Sequence, residues 1–583
     1  MVASQLQEQV RILRSTVSHL DARTFTIETP VKAVVPMQQD EAEARFYQIV
    51  EFWPWTPLLT IHASSQLMLS LKLILHHVPM GSHHAPTALP KSVAIIGAGS
   101  GGLAMLKALL DLPLSLREGW EIVLYEERED VGGIWLPDPR GVTPPELPET
   151  PLYPLLRTNT PVPFMTYPGF PFTEGTPLFP SHEYVQTYHA RYAEELNLRG
   201  YIHFHHRLEK AAWEGSSKEG FWNLTVSDRK KGVVQTKTHD HLVVASGNNH
   251  IPHIPTWEGQ DEWLANSPPG GLKRRIIHSI YYREPEEFTG QSVLIVGNGA
   301  SGRDASTQLA GLAREVFISI RHEDQRVVGQ IKPEIHHFSA TGVVFVDGTF
   351  VNPDVVLLAT GYEHRKPFLE ETGLLRIDRS ARDNSSGTDG LVSNTRYIFP
   401  LHQHILSLSP EYPTNALAFV GLPSAIPNCA SDLAQSLFAT YAIAHPDILP
   451  SRSEMLADLA RHEDEVRSLG FDPYTAGHRM LTFDMSSGYQ DDLVDFLKKK
   501  GVIRDDGKKF VEQWRKDVFT YQYIVRGWKR IEELGIGDEW VRGVETEEQW
   551  ADVMRRVNEW QKEYEEANGI EFVSDWSVPG VSS

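Results

Sequence analysis

The strongest constraint on this chain is a turn that occurs twice. VAIIGAGSGG (Val93–Gly102) ends a β-branched run in Gly97, Gly99 and Gly102. VLIVGNGASG (Val293–Gly302) repeats it with Gly297, Gly299 and Gly302, offset by 200 residues. A strand that stops in Gly-x-Gly-x-x-Gly and opens a helix suits a dinucleotide pyrophosphate. The first glycine makes the tight turn, the second lets backbone approach the phosphates, and the third lets helix pack on strand. The helix N-terminus then offers free N–H groups to the anion. A second repeat follows the first. DHLVVASG (Asp240–Gly247) matches DVVLLATG (Asp354–Gly361), so each half opens with a glycine turn and closes with an A-[ST]-G turn.

The other short apolar runs fit the same architecture. EIVLYE (Glu121–Glu126), EVFISI (Glu315–Ile320) and LAFVG (Leu417–Gly421) join the four runs above as expected buried parallel strands, with crossover helices between several of them. The predicted fold class is α/β, with two Rossmann-like dinucleotide-binding domains, the second inserted in the first, plus a helical C-terminal extension. The expected boundaries are 91–255 with 385–450 for the first domain, 256–384 for the second and 451–583 for the extension. In the extension, Ser451 with Glu454 and Thr546 with Gln549 are spaced as capping boxes. The second box precedes a stripe of Trp550, Val553, Met554, Val557 and Trp560, read as packing against the body. No chemistry is evident there. Residues 1–90 show no clean period or motif and are read as a leader or appendage, with Met80–Lys91 as its flexible end.

Composition narrows the chemistry. With 55 Lys and Arg against 76 Asp and Glu, the net charge is −21. That argues against a general nucleic-acid footprint and against docking on anionic lipid. The single cysteine, Cys429, excludes a disulfide framework, a CxxC pair and a cysteine-based zinc site. No metal is expected, and redox chemistry must come from a bound cofactor. Cys429 reads as a small buried residue near a helix start. The stretch Leu58–Leu75 has about the length of a short membrane span, but His62, Gln66 and Lys72 interrupt it. A surface or packing helix and a cytoplasmic protein are expected, with membrane association through residues 58–75 left open.

The residues after each turn differentiate the two sites. Glu126 ends the strand after the first turn, where an acid binds ribose hydroxyls. Arg321 ends the strand after the second, where an acid would otherwise sit. A guanidinium there grips a 2′-phosphate in bidentate fashion; the alternative is an ordinary exposed arginine. The first turn therefore wants free ribose hydroxyls, and the second wants NADP.

Two further stretches are EEREDVGGIW (Glu126–Trp135) and LLRTNTPVPFMTYPGFPF (Leu155–Phe172). With FTGQSVLIVGNGASGRD, VDGTFVNPDVVLLATGY, IFPLHQHI and LAFVGLPSA, they make the chain resemble the flavin-containing monooxygenases from about Ser92 to Pro450. The family's FxGxxxHxxx[YF] motif is half kept: His278 and Tyr282 are present, while Leu272 and Arg274 occupy the aromatic and glycine positions. The Trp-Pro that Baeyer–Villiger relatives carry after the histidine motif is replaced by Arg283-Glu284. By itself His278 reads as a loop-holding residue.

The resemblance implies that Gly97, Ala98, Gly99, Ser100, Gly101, Gly102, Glu126, Ile134, Trp135, Asn159 and Thr160 contact FAD. It implies that Thr158, Asn159, Gly299, Ala300, Ser301 and Gly302 serve NADPH, beside Gly297 and Arg321, which the second turn and its next strand supply. Asn159 is the expected catalytic group, an uncharged donor and acceptor over the flavin; otherwise it caps the turn TNTP. The implied activity is FAD- and NADPH-dependent monooxygenation through a flavin hydroperoxide, of the N,N-dimethylaniline monooxygenase type. The acceptor is an amine nitrogen or a sulfur of a small molecule, with dioxygen as co-substrate. Alternatives are Baeyer–Villiger-type or N-hydroxylating monooxygenation, or an uncoupled NADPH oxidase. A homo-oligomer is left open.

Overall fold

The glycine turns end interior strands of two sheets, one largely parallel and one wholly parallel. The computed structural model describes residues 90–267, 272–321, 328–383, 390–572 and 574. The leader and the 58–75 stretch lie outside the described residues. Among those described, no helix is long and apolar enough to cross a membrane.

In the first sheet, Ser92–Ile96 pairs in parallel with Glu121–Tyr125 on one side and His241–Val244 on the other. Ile202–His203 extends one edge, and Leu417–Phe419 the other. Two short antiparallel strands, Leu406–Ser407 and Leu401–His402, complete this seven-stranded sheet. The second sheet is five-stranded and parallel, in the order Gln330–Lys332, Glu315–Ser319, Ser292–Val296, Val355–Leu358, Arg275–His278. Every run read as a strand is one, and each has a parallel partner.

The apolar runs are continuous because both faces of each sheet are covered. Val93 and Ile95 face one core while Ala94 and Ile96 face another. Val293 and Ile295 are likewise separated from Leu294 and Val296. The repeated aspartates have a shared task. Asp240 accepts hydrogen bonds from the Ser92 N–H at 2.7 Å and hydroxyl at 2.9 Å. Asp354 accepts from the Ser292 N–H at 2.8 Å. Each ties down the first residue of the strand that leads to a glycine turn.

The C-terminal helices share the core of the first sheet. Leu493 and Leu497 of Phe483–Lys499, and Trp528 and Ile531 of Ile524–Glu533, join Leu103 and Leu106, which follow the first turn. Both capping boxes form, at Ser451–Glu454 and Thr546–Gln549. In the helix Glu547–Ala567, Trp550, Val553, Met554 and Val557 are buried, and Trp560 meets Trp540 edge-on. Each fully buried Val or Met contributes about 1.5–3 kcal/mol. The stripe is packing, as its period implies. Cys429 is buried in the first turn of Asn428–Ala444.

Candidate functional site

The first turn is built so that only glycine fits at two of its positions. Gly97 has φ +98°, and an added Cβ would stand 2.7 Å from the Ala245 carbonyl oxygen. A Cβ on Gly102 would lie 1.8 Å from the Gly97 carbonyl oxygen, inside the contact between helix and turn. The helix Ser100–Leu110 has Gly99 as its N-cap, a residue with no side chain to cap it. Gly132 and Gly133 come back across the turn: the Gly132 N–H donates to the Ala98 carbonyl at 3.0 Å. A Cβ on Gly133 would lie 3.1 Å from Gly99 Cα. Backbone therefore lines the space in front of the helix.

Glu126 closes the turn from the next strand. It is buried, and its two oxygens accept from the Ala98 N–H at 2.6 Å and the Arg128 N–H at 2.9 Å. Burial pushes its carboxyl up to about 7, against the pull of those two N–H groups. Each oxygen keeps acceptor capacity for a ribose hydroxyl. Arg128 holds the segment carrying Ile134 and Trp135, donating to the carbonyls of Gly133, Leu136 and Pro137. Ile134 and Trp135 are themselves half-buried.

Thr158, Asn159 and Thr160 lie in a bend. The Thr158 N–H donates to the Pro180 carbonyl at 2.9 Å, and its side chain is buried with a hydroxyl that has no partner among the described residues. The Asn159 side chain is exposed, and among the described residues it has no hydrogen-bond partner. The segment is tied to the first turn through Tyr167, whose hydroxyl donates to the Ser100 carbonyl at 2.7 Å. A backbone cradle that a Cβ would fill and an orphaned threonine hydroxyl both fit a bound dinucleotide.

The second turn copies the first. Gly297 has φ +105°, and a Cβ on Gly302 would stand 2.1 Å from its carbonyl oxygen. Gly299 and Ala300 are exposed, Ser301 is half-buried, and a Cβ on Gly299 would meet nothing within 4 Å. Arg321 stands just beyond the strand Glu315–Ser319, exposed, with its Nε donating to Glu334 at 2.8 Å. An exposed pair of this kind is worth about 0–1 kcal/mol, so it leaves the guanidinium available to a stronger anion.

The half-kept histidine motif has a structural reason. His278 Nδ1 accepts from the Ile280 N–H at 3.1 Å, which leaves the ring proton on Nε2 to donate to the Gly361 carbonyl at 3.0 Å. Burial pulls this imidazole down to about 4. Both nitrogens are engaged, so His278 ties the loop to the A-T-G turn rather than moving protons. Arg274, at the glycine position, is buried and donates to the carbonyls of Trp263, Ala340 and Thr341 and to Asn352 Oδ1. It lies over the Trp263 ring at 5.1 Å. Leu272 is exposed.

Sequence reasoning misses Arg128, Tyr167 and Asp432. Asp432 is the only charged residue of Asn428–Ala444, which was its signal. Burial pushes its carboxyl up to about 7, opposed by a hydrogen bond with Ser100, whose residue opens the first helix. Arg128 and Tyr167 act through backbone carbonyls, and no motif marks them.

The chain is similar to known proteins. The family described as Flavin-binding monooxygenase-like matches residues 90–329 and 324–503. The flavin-containing monooxygenase FMO GS-OX-like 9 of Arabidopsis thaliana is 30% identical over 458 residues, covering 73% of this chain and 88% of that protein. Senecionine N-oxygenase of Tyria jacobaeae is 30% identical over 423 residues, covering 70% and 82%. Among solved structures, S-allyl-L-cysteine S-oxygenase from Allium sativum superposes with a TM-score of 0.60 at 24% identity, covering 81% of this chain and all of that one. That likeness extends to the fold of two Rossmann-like domains. With the family match spanning most of the sequence and relatives aligned over most of their own length, the chain belongs to the flavin-containing monooxygenase family and is a flavin-dependent monooxygenase.

Proposed function

We propose that the chain uses FAD and NADPH to transfer one atom of dioxygen to an amine nitrogen or a sulfur of a small molecule, the other atom leaving as water. The observation that carries this reading is a difference between two copies of one device. The first turn ends in a buried acid, Glu126, suited to free ribose hydroxyls. The second ends in an exposed cation, Arg321, suited to a 2′-phosphate. The domain division that follows gives 91–255 with 385–450 to FAD and 256–384 to NADPH. When bound, FAD supplies the redox and oxygen-activating chemistry that no side chain here supplies.

The protein's own residues bind and orient. The helix N-termini at Ser100 and Ala300 offer N–H groups to the two pyrophosphates. Glu126 fixes the FAD ribose and Arg321 the NADPH phosphate. Thr158 offers its unpartnered hydroxyl, and Asn159 an amide that donates and accepts without charge. An uncharged group is what the site needs, because a carboxylate there would repel negative charge developing on the reduced flavin. The name senecionine N-oxygenase among the relatives supports nitrogen, and the name S-allyl-L-cysteine S-oxygenase among the structural neighbours supports sulfur.

The test is cofactor release and chromatography, followed by a panel of a tertiary amine, a thioether, a cysteamine-like thiol and a cyclic ketone. FAD, with an N- or S-oxygenated product formed at the expense of NADPH, is the expected result. FMN, oxidation of the ketone alone, or peroxide with every substrate would overturn it.

A further inference from the structure

The match to the family ends at residue 503, and the helices beyond it carry no motif. They nevertheless reach the segment that follows Thr158–Asn159–Thr160. Arg515 is 2% exposed. Its guanidinium donates to the Pro163 carbonyl at 2.9 Å, to Thr166 Oγ1 at 2.9 Å and to Glu547 Oε1 at 2.6 Å. Glu547 in turn accepts from the Gly169 N–H at 3.2 Å through its other oxygen. The Phe519 ring sits edge-on to Phe164 at 4.9 Å. Further out, the Gly543 N–H donates to Glu174 at 2.7 Å, and Arg157 pairs with Glu532 at 2.5 Å.

These contacts converge on one short stretch. Pro163 is three residues from Thr160, a reach of at most about 10 Å. Tyr167 lies between the two gripped points, Thr166 and Gly169, and its hydroxyl holds the Ser100 carbonyl of the first turn. A buried ion pair is weak evidence for stability, because an apolar pair of the same volume often does as well. What a guanidinium adds is direction: one planar fork fixes a carbonyl, a hydroxyl and a carboxylate at set angles.

We propose that Arg515 and Glu547 are positioning residues of the monooxygenase, clamping Pro163–Gly169 so that Thr158–Asn159–Thr160 is held rigidly at the flavin and oxygen transfer stays coupled. This rests on the flavin reading of the first turn. The C-terminal extension is then part of the active-site architecture rather than an added cover.

The experiment compares the full-length, FAD-loaded wild type with Arg515→Ala, Arg515→Lys, Thr166→Val and, as control, Arg555→Ala. Arg555 lies on the same helix as Glu547 but pairs only with exposed Asp552 and Glu559. Amide hydrogen exchange over residues 157–170, FAD retention and the peroxide fraction of NADPH turnover are measured together. Losing hydrogen bonds from a charged group should speed exchange there by about ten-fold or more in Arg515→Ala. The peroxide fraction should rise with it, and Arg515→Lys should restore part of both. Thr166→Val should shift both in the same direction by less, and it carries the test if Arg515→Ala fails to fold. Arg555→Ala should match wild type. Unchanged exchange over 157–170, or faster exchange with wild-type coupling, would overturn the proposal. If the wild type itself makes only peroxide, the oxygenation reading fails, while exchange and FAD retention still decide the clamp.

Discussion

Gly299→Ala separates a glycine needed for the fold from one needed for a ligand. Gly299 is the N-cap of Ala300–Leu309 with φ −70°, which any residue adopts, and a methyl there meets nothing within 4 Å. Alanine caps a helix less well than glycine by up to about 1 kcal/mol. The smaller conformational freedom of its unfolded chain returns about 0.4–1 kcal/mol. The ligand-free fold should therefore be unchanged within about 1 kcal/mol. The methyl does stand before the free N–H groups of the helix. If the NADPH pyrophosphate approaches there, one hydrogen bond to a charged group is lost, at about 1.5–3 kcal/mol. That raises the KM for NADPH by about 10–100-fold. Gly302→Ala should behave in the opposite way. Its Cβ would lie 2.1 Å from the Gly297 carbonyl, so the backbone must move, at a cost of about 1–3 kcal/mol or more and a lowered Tm. Steady-state kinetics, thermal denaturation and FAD content check the pair. A Gly299→Ala protein with wild-type Tm and a KM for NADPH within about two-fold of wild type would refute the reasoning.

Other substitutions test individual roles. Arg321→Ala should narrow the preference for NADPH over NADH by about ten-fold or more, the loss of one charge-assisted contact; an unchanged ratio means that another group reads the phosphate. Asn159→Asp should keep FAD bound while peroxide rises and oxygenated product falls, read by paired peroxide and product assays; wild-type coupling would reduce Asn159 to a bend residue. Glu126 and Asp432 are both raised to about 7 by burial, from ordinary values of 4.5 and 3.8. The folded FAD-free protein therefore binds more protons than the unfolded chain between those values and about 7. Its stability should fall as pH rises through that window, and Glu126→Gln should flatten the fall in Tm.

What was legible in the sequence was local. The strands showed as β-branched runs because both sheet faces are buried, and the helix starts at Ser451 and Thr546 showed because a capping box is written in four consecutive residues. The three-stranded antiparallel sheet of His206–Gly215, Gly220–Asp228 and Val233–His239 leaves little trace in the sequence. Its middle strand does alternate, with Trp222, Leu224 and Val226 inward, but Val233–His239 is exposed almost throughout and carries no pattern. In the candidate site, the glycines were legible because a motif fixes their spacing, and Glu126 because it ends the strand that follows them. Arg515 was not, because its contact with Pro163 spans 352 residues. Arg274 breaks the family motif in sequence, yet in space its side chain bonds to three carbonyls and an asparagine. A departure from a motif can be a local repair that only the fold explains.

The most direct measurement is oxygen balance under labelled dioxygen. NADPH consumed, peroxide released and product formed are counted together with a tertiary amine or a thioether, and the product is weighed by mass spectrometry. The account predicts one labelled oxygen in an N-oxide or S-oxide for each NADPH oxidised, with little peroxide. An unlabelled product, or NADPH oxidation that yields peroxide alone, would contradict it.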